Sequence, residues 1–87
     1  MKIINEYEKI YNLLEAYTNM ILLHLNSKEP HFNGCVKEHH EKICIVITNY
    51  KHNFKYIIEI DSLSVPPALM LALQIYKQFL RDIGVEL

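Results

Sequence analysis

The sequence predicts an α+β fold (αβββα): a helix, a three-stranded antiparallel meander and a second helix, with both helices on one face of the sheet. Three observations predict it. Apolar residues recur at helical spacing near both ends of the chain, a β-branched run lies between them, and an alternating apolar–polar segment follows that run. The 87 residues contain only two glycines and three prolines, so little of the chain is linker and we expect a single domain over residues 1–87.

The first helix is predicted from about Ile3 to Leu25. Its apolar residues are spaced alternately four and three positions apart, which places them on one face of a helix with 3.6 residues per turn. Pro30 disfavours helical geometry at the residue before it, so the segment NSKEP is expected to end the helix. The apolar face comprises Ile3, Tyr7, Ile10, Leu14, Tyr17, Ile21 and His24.

Three strands are predicted in the middle of the chain. Ile43–Thr48 is apolar or β-branched without interruption, which is typical of a central strand or of one covered on both faces. The segment FKYIIEID, residues 54–61, alternates with a period of two, so its odd and even residues lie on opposite faces. These two strands form a hairpin around a turn at residues 51–53, and FNGCVKE, residues 32–38, supplies a shorter strand.

The second helix is predicted to have Pro66 and Pro67 in its first turn, because proline suits a turn in which the N–H has no helical partner. Ser62 or Ser64 is the expected cap, and Gly84 is the expected stop. The main apolar face of this helix comprises Leu69, Leu73, Tyr76, Leu80, Ile83 and Leu87.

The chain carries more apolar surface than one such domain can bury. Two helices cover one face of the sheet, so Cys44, Val46 and Ile57 on the other face are expected to meet water. Contiguous exposed apolar area usually marks an interface, and a two-fold dimer is the commonest way to cover it. We therefore predict a homodimer or larger oligomer in which a helix packs against its symmetry mate. The predicted contacts are Leu73, Tyr76, Leu80 and Ile83.

Charge and composition exclude several classes of protein. The net charge of −1 argues against a constitutive nucleic-acid binder, and no run of about 18 apolar residues could span a membrane. Glu6, Glu8 and Glu15 interrupt the apolar N-terminal segment, so it does not resemble a secretory signal and we expect a cytoplasmic protein with no membrane partner. The bias towards Ile, Asn, Lys and Tyr is typical of an AT-rich genome. It fits a small accessory or inhibitor protein of a phage or mobile element that acts on a host protein.

The segment GCVKEHHEKIC, residues 34–44, is a candidate metal site. Cys35, His39 or His40, and Cys44 are residue types that bind zinc. Eight residues separate the cysteines, whereas zinc-binding pairs usually lie two to four apart. If His39 and His40 occupy the two turn positions, the cysteines lie directly opposite each other, and with a turn centred further along they do not. We expect no metal and no cofactor.

A second candidate site is the hairpin segment YKHNFKY, residues 50–56, which interleaves aromatic and cationic residues. Aromatic platforms combined with cations hold single-stranded nucleic acids or nucleotides. The segment therefore supports an alternative function, a small nucleic-acid- or nucleotide-binding regulator. The residues expected to carry it are Tyr50, Lys51, His52, Phe54 and Lys55.

Catalytic chemistry has little support in the sequence. Glu59 and Asp61 share one strand face, and paired carboxylates can divide acid and base roles. No nucleophile motif or glycine-rich phosphate loop accompanies them, so the solvated face of a sheet is the better interpretation. The leading hypothesis is a non-enzymatic protein–protein interaction domain.

Overall fold

The computed structural model of the chain describes residues 6–60 and 65–85. The elements in order are α1 (Glu6–Lys28), β1 (Phe32–His39), β2 (Lys42–Asn49), β3 (Phe54–Ile60) and α2 (Ala68–Asp82). The strands form one antiparallel sheet in the order β1-β2-β3. The predicted fold class and element order are confirmed. The expected helix start at Ile3, the expected caps Ser62 and Ser64, Asp61 and Leu87 lie outside the described residues.

The helix α1 buries the predicted side, with Leu14, Ile21 and Leu25 in the core. It continues one turn beyond Leu25, to Lys28. Asn26 to Lys28 tolerate helical geometry, whereas the steric restriction imposed by Pro30 falls on Glu29 alone. The helix therefore ends later than the sequence predicted.

Side chains of α1 hold the outer edge of β1. The Asn26 side-chain amide donates to the Phe32 carbonyl at 3.1 Å and its oxygen accepts the Phe32 N–H at 3.0 Å. Four residues further along the strand, the Tyr11 hydroxyl donates to the Val36 carbonyl at 2.6 Å. Three of the backbone groups that would be open to another strand are thus satisfied within the chain.

Gly34 lies beneath α1, at a point of β1 where no side chain fits. A Cβ atom there would lie 2.8 Å from Ile47 Cδ1 and 3.0 Å from Thr18 Cγ2, closer than carbon atoms normally approach. The absence of a side chain lets the helix rest directly on the strand.

The helix α2 begins after Pro67 instead of including it. Pro67 is the N-cap, with φ −53° and ψ 143°, and its carbonyl accepts the Leu71 N–H at 3.1 Å. An N-cap residue has non-helical ψ and needs no N–H for the helix, so proline suits this position as well as the first turn. The helix ends at Asp82, and Gly84, the predicted stop, follows shortly after it in a left-handed conformation with φ 91° that favours glycine.

The core lies between the two helices and the inner face of the sheet, and its centre is Phe79. This fully buried ring meets Phe32 at 4.9 Å, Phe54 at 5.3 Å and His52 at 5.2 Å between centroids, in edge-to-face arrangements. One side chain on α2 therefore joins β1, β3 and the turn between β2 and β3. The inner face consists of alternate residues of each strand, which confirms the predicted period of two in β3.

The outer face of the sheet differs from the sequence prediction. Cys44 and Val46 are only 6% and 9% exposed, whereas Ile57 is 55% exposed. Cys44 lies directly between Lys37 and Glu59 on the neighbouring strands, and the aliphatic stems of such long side chains can cover apolar neighbours. The expectation that all three meet water is wrong for the central strand, and right for Ile57, which has a neighbouring strand on one side only.

Candidate functional site

The side of α1 that faces away from the sheet is apolar. Leu13 and Leu23 are 67% and 74% exposed, and Met20 is half exposed between them. Leu13 and Met20 lie seven residues apart, as do Ala16 and Leu23, which is the a/d spacing of helices that pack against a second helix. A helix with apolar residues on two sides is expected to be covered on both.

The helix α2 extends this apolar area. The Tyr17 hydroxyl donates to the Pro66 carbonyl, and the Lys28 ammonium lies 5.6 Å from the centre of the Tyr76 ring. These two contacts show that the helices run side by side in the same direction. We define the helical surface as the exposed apolar residues of both helices away from the sheet, namely Leu13, Ala16, Met20, Leu23, Leu69 and Leu73.

Met20 on α1 and Leu69 on α2 lie at similar heights along the two helices. Each lies three residues, nearly one helical turn, beyond the contact between Tyr17 and Pro66. Because both are half exposed, they lie on the outward sides of neighbouring helices. The apolar residues of α1 and α2 therefore form one surface and not two separate stripes.

The hydrogen bond from Tyr17 to the Pro66 carbonyl, which links α1 to the segment before α2, requires a protonated phenol. Burial raises the pKa of the Tyr17 phenol above its ordinary value, because the charged phenolate is poorly solvated there. The hydroxyl therefore keeps its proton throughout the neutral range and donates it to the Pro66 carbonyl. The contact that Tyr17 makes between α1 and Pro66 is therefore not expected to change with pH in the neutral range.

On α1, uncharged polar residues border the two sides of the helical surface between Leu13 and Leu23, and Lys9 lies one turn before Leu13 on the same face. Asn12 and Asn19 lie on one side of the a/d residues, and Tyr17 and His24 lie on the other. An apolar partner can approach along this part of α1 without burying a carboxylate or an ammonium group. Burying an unpaired charge is far more unfavourable than burying an amide that can keep a hydrogen bond.

The contacts predicted from the sequence overlap this surface only in part. Leu73 and Ile83 are 41% and 37% exposed, whereas Tyr76 and Leu80 pack against the core and are partly buried. Sequence reasoning missed the exposed leucines and methionine of α1. The signal was present: residues 13, 16, 20 and 23 have the spacing of a second heptad face, turned by about 100° from the face that was recognised.

The candidate metal residues lie at and near the hairpin between β1 and β2. His40 and Glu41 form its two-residue turn with φ of 51° and 64°, and His39 pairs with Lys42. In this register Cys35 lies opposite Val46 and Cys44 lies opposite Lys37. The cysteines are therefore not directly opposite each other, and within residues 6–60 and 65–85 no three potential ligands come together.

The candidate nucleic-acid residues are divided between the core and the surface. Phe54 is buried, and the His52 ring packs on Phe79 with its Nε2 atom 3.4 Å from Glu29 Oε1. The buried Phe54 ring offers no free face on which a base could stack. Aromatic stacking, the main sequence-tolerant contribution to single-strand binding, therefore loses one of its predicted platforms.

The other three candidate nucleic-acid residues, Tyr50, Lys51 and Lys55, are exposed. Tyr50 is 69% exposed and its hydroxyl lies 2.9 Å from His31 Nδ1, while Lys51 belongs to the turn. Lys55 lies on the outer face of β3. The segment thus provides one exposed aromatic ring and two cations that belong to different parts of the hairpin.

We expect no nucleic-acid binding tighter than the weak electrostatic level of roughly 10⁻⁴ M at physiological salt. Fluorescence anisotropy with labelled single-stranded and duplex oligonucleotides over a salt series would measure it. The variant that combines Lys51→Glu with Lys55→Glu is expected to behave like the wild type. A sub-micromolar complex that this variant weakens would instead support the regulator hypothesis.

The outer face of the sheet forms a shallow basin of about 310 Å³ beside the β3 edge. Apolar residues form its floor and charged residues surround it. Lys42 Nζ and Glu59 Oε2 lie 3.6 Å apart at this surface, with both side chains more than half exposed. The basin is lined by Lys37, Glu38, His39, Cys44, Val46, Lys55, Ile57 and Glu59.

No protein-family model, curated protein or solved structure matches this chain. Neither helix in the described ranges 6–60 and 65–85 combines the length and the apolar character needed to cross a membrane. The surfaces of the domain are therefore the basis for proposing a function.

Proposed function

We propose that this protein is a non-enzymatic protein–protein interaction domain, a cytoplasmic homo-oligomer that binds another protein through its helical surface. The observation that supports the proposal is the extent of exposed apolar area on α1, where Leu13 and Leu23 are 67% and 74% exposed. Contiguous apolar residues on two adjacent helices are unfavourable in water and usually mark an interaction site.

The occupant we propose is an amphipathic helix of the partner protein. The a/d spacing of Leu13, Ala16, Met20 and Leu23 matches the apolar face of a second helix, which would lie along α1. Ala16 has a small side chain and allows close approach of the two backbones. Because the residues that border the two sides of α1 between Leu13 and Leu23 are uncharged, we expect selection by shape and apolar area more than by ion pairs.

The composition suggests the setting in which such a domain works. An AT-rich coding sequence and a small domain size fit an accessory or inhibitor protein of a phage or mobile element. The partner would then be a host protein, and the domain would bind one of its helices and block the interface that this helix forms. Blocking a helical interface requires no catalytic group, in keeping with a non-enzymatic role.

Leu23→Glu is expected to weaken partner binding at least tenfold, because it places a charge in the middle of an apolar contact. The test is retention from a host lysate by immobilised wild-type and variant proteins, followed by titration calorimetry with the identified partner. Asn33→Glu makes the same change of charge on the outer face of the sheet and is expected to retain the partner. Leu23 is largely exposed, so the variant should keep wild-type stability to within about 0.5 kcal/mol. Equal retention by both variants would contradict the proposal.

A further inference from the structure

The outer edge of β3 directs a row of backbone groups away from the sheet. The two-residue turn between β1 and β2 makes His39 and Lys42 a hydrogen-bonded pair, which fixes the alternation for the whole sheet. Even-numbered residues of β2 therefore bond to β1, and odd-numbered residues bond to β3. On β3 the residues bonded to β2 are Phe54, Tyr56, Ile58 and Ile60.

Lys55, Ile57 and Glu59 consequently point their N–H and C=O groups outward. Within the described residues no backbone hydrogen bond from another element reaches them. The strand has seven residues with no proline or glycine, so nothing in its sequence interrupts pairing along this edge. The edge is a ready template for one more antiparallel strand.

We propose that the added strand is β3 of a second copy, paired antiparallel about a two-fold axis at Ile57. Ile57 would lie opposite Ile57 of the partner copy, and Lys55 would lie opposite the partner copy's Glu59. The two three-stranded sheets would then form one continuous sheet of six strands, close to the usual size of a sheet. This inference deepens the oligomeric part of the proposed function and rests on it.

The hydrogen-bond pattern of the edge suits this register. In an antiparallel pair, residues whose backbone groups point at each other exchange both their hydrogen bonds. Lys55, Ile57 and Glu59 all point outward, so the pairing centred on Ile57 matches outward groups with outward groups. A register shifted by one residue would place outward groups opposite inward ones and would lose every bond of the ladder.

The charges select this register among the remaining ones. Lys55 and Glu59 lie two residues before and two residues after Ile57, so a two-fold axis at Ile57 brings lysine opposite glutamate twice. Opposite charges across an antiparallel pair are favourable, and like charges are unfavourable. A shift of two residues removes both ion pairs, and a parallel arrangement in matching register would set lysine against lysine. The edge is thus complementary to itself.

Self-pairing at β3 leaves the helical surface available. The helices cover the inner face of the sheet, and the helical surface faces away from it. A dimer of this kind presents two separate helical surfaces to partner proteins. Leu73 and Ile83, the exposed ones among the contacts predicted earlier on α2, would then be available to a partner and would not lie between the two copies.

A charge-swap series tests the pairing. Light scattering or sedimentation at tens of micromolar should give twice the 10.3 kDa chain mass for the wild type. Lys55→Glu alone and Glu59→Lys alone each set like charges against each other and should weaken the dimer on the order of tenfold or more. The double variant, with both changes in one chain, restores opposite charges and should recover the wild-type dimer. An equimolar mixture of the two single variants should form heterodimers for the same reason.

Amide hydrogen exchange provides a second measurement, because no backbone group among residues 6–60 and 65–85 of the single chain bonds to the Ile57 N–H. Its exchange should slow as protein concentration rises, while that of Lys51 in the exposed turn should stay unchanged. A wild-type monomer at these concentrations would overturn both this inference and the oligomeric part of the proposed function. A dimer that tolerates both single charge variants but is lost in Leu73→Glu would overturn the β3 pairing alone and place the two-fold axis at the helices. Partner retention tested by Leu23→Glu is a separate readout in each case.

Discussion

Phe79→Ala is expected to lower the free energy of unfolding by about 3–5 kcal/mol, the usual range for removing a buried aromatic ring. The Phe79 ring is fully buried and makes edge-to-face contacts with Phe32, Phe54 and His52. Alanine would leave a cavity where α2, the sheet and the β2–β3 turn meet. Stability of about 5–15 kcal/mol is typical of a small domain, so much of the total would be lost. Denaturant titration followed by circular dichroism would measure it.

Two further variants control this experiment. Lys77→Ala removes an exposed side chain from the same helix and should change stability by no more than about 0.5 kcal/mol. Phe79→Leu keeps part of the volume and should fall between the wild type and Phe79→Ala. All titrations need one protein concentration, because dissociation of an oligomer is linked to unfolding. A loss below about 1 kcal/mol for Phe79→Ala would show that the core is not centred on this ring.

Asn49→Leu is expected to lower the free energy of unfolding by about 2–3 kcal/mol, although leucine is apolar and close to asparagine in size. Asn49 is fully buried at the end of β2. Its side chain donates to the Pro30 carbonyl at 3.1 Å and accepts the His52 N–H at 3.3 Å. Leucine would leave both backbone groups without a partner, and an unsatisfied buried group is destabilising by about 1–3 kcal/mol.

Thr48→Val is the matched control for Asn49→Leu. Thr48 is the preceding residue on the same strand and faces the opposite side of the sheet. The Thr48→Val substitution should change the free energy of unfolding by less than about 0.5 kcal/mol. Faster exchange of the His52 amide in Asn49→Leu, but not in Thr48→Val, would locate the effect at the turn. Equal stability of the two variants would contradict the role assigned to Asn49.

The order of elements could be predicted because hydrophobic periodicity is a local property of the sequence. The faces of β3 and the buried side of α1 follow directly from spacings of two and of three or four residues. Positions with a left-handed backbone conformation were partly predictable. Glycine favours this conformation after the end of a helix, and Gly84 adopts it. Pro67 shows the limit of such signals, because proline suits both the N-cap and the first turn.

Features that depend on contacts between distant residues could not be predicted from the sequence. The turn at His40–Glu41 adopts positive φ at two residues that rarely do so, and this turn decides that Cys35 lies opposite Val46. Asn49 resembles any polar residue at a strand end until its two backbone partners are known. Whether Cys44 is covered depends on Lys37 and Glu59, which only the strand register brings to its sides.

The sequence predicted that an apolar surface would be exposed, but it did not predict which residues form that surface. An excess of apolar residues indicated an exposed surface, but the periodicity of α2 is stronger in the sequence than the second face of α1. Tyr76 and Leu80 were chosen from that periodicity, and the structure packs both against the core. Spacing alone shows that a helix has an apolar face, whereas only the packed fold shows which of several faces remains open.

The unequal edges of the sheet determine how large an assembly can become. On β1, the Asn26 side chain occupies both backbone groups of Phe32, and the Tyr11 hydroxyl occupies the Val36 carbonyl. A chain with two open edges could add copies without limit and grow into a fibre, whereas a chain with one capped edge can join one copy and then stop. Asn26 and Tyr11, which tie α1 to the sheet, would therefore also limit the assembly that we propose at β3 to two copies.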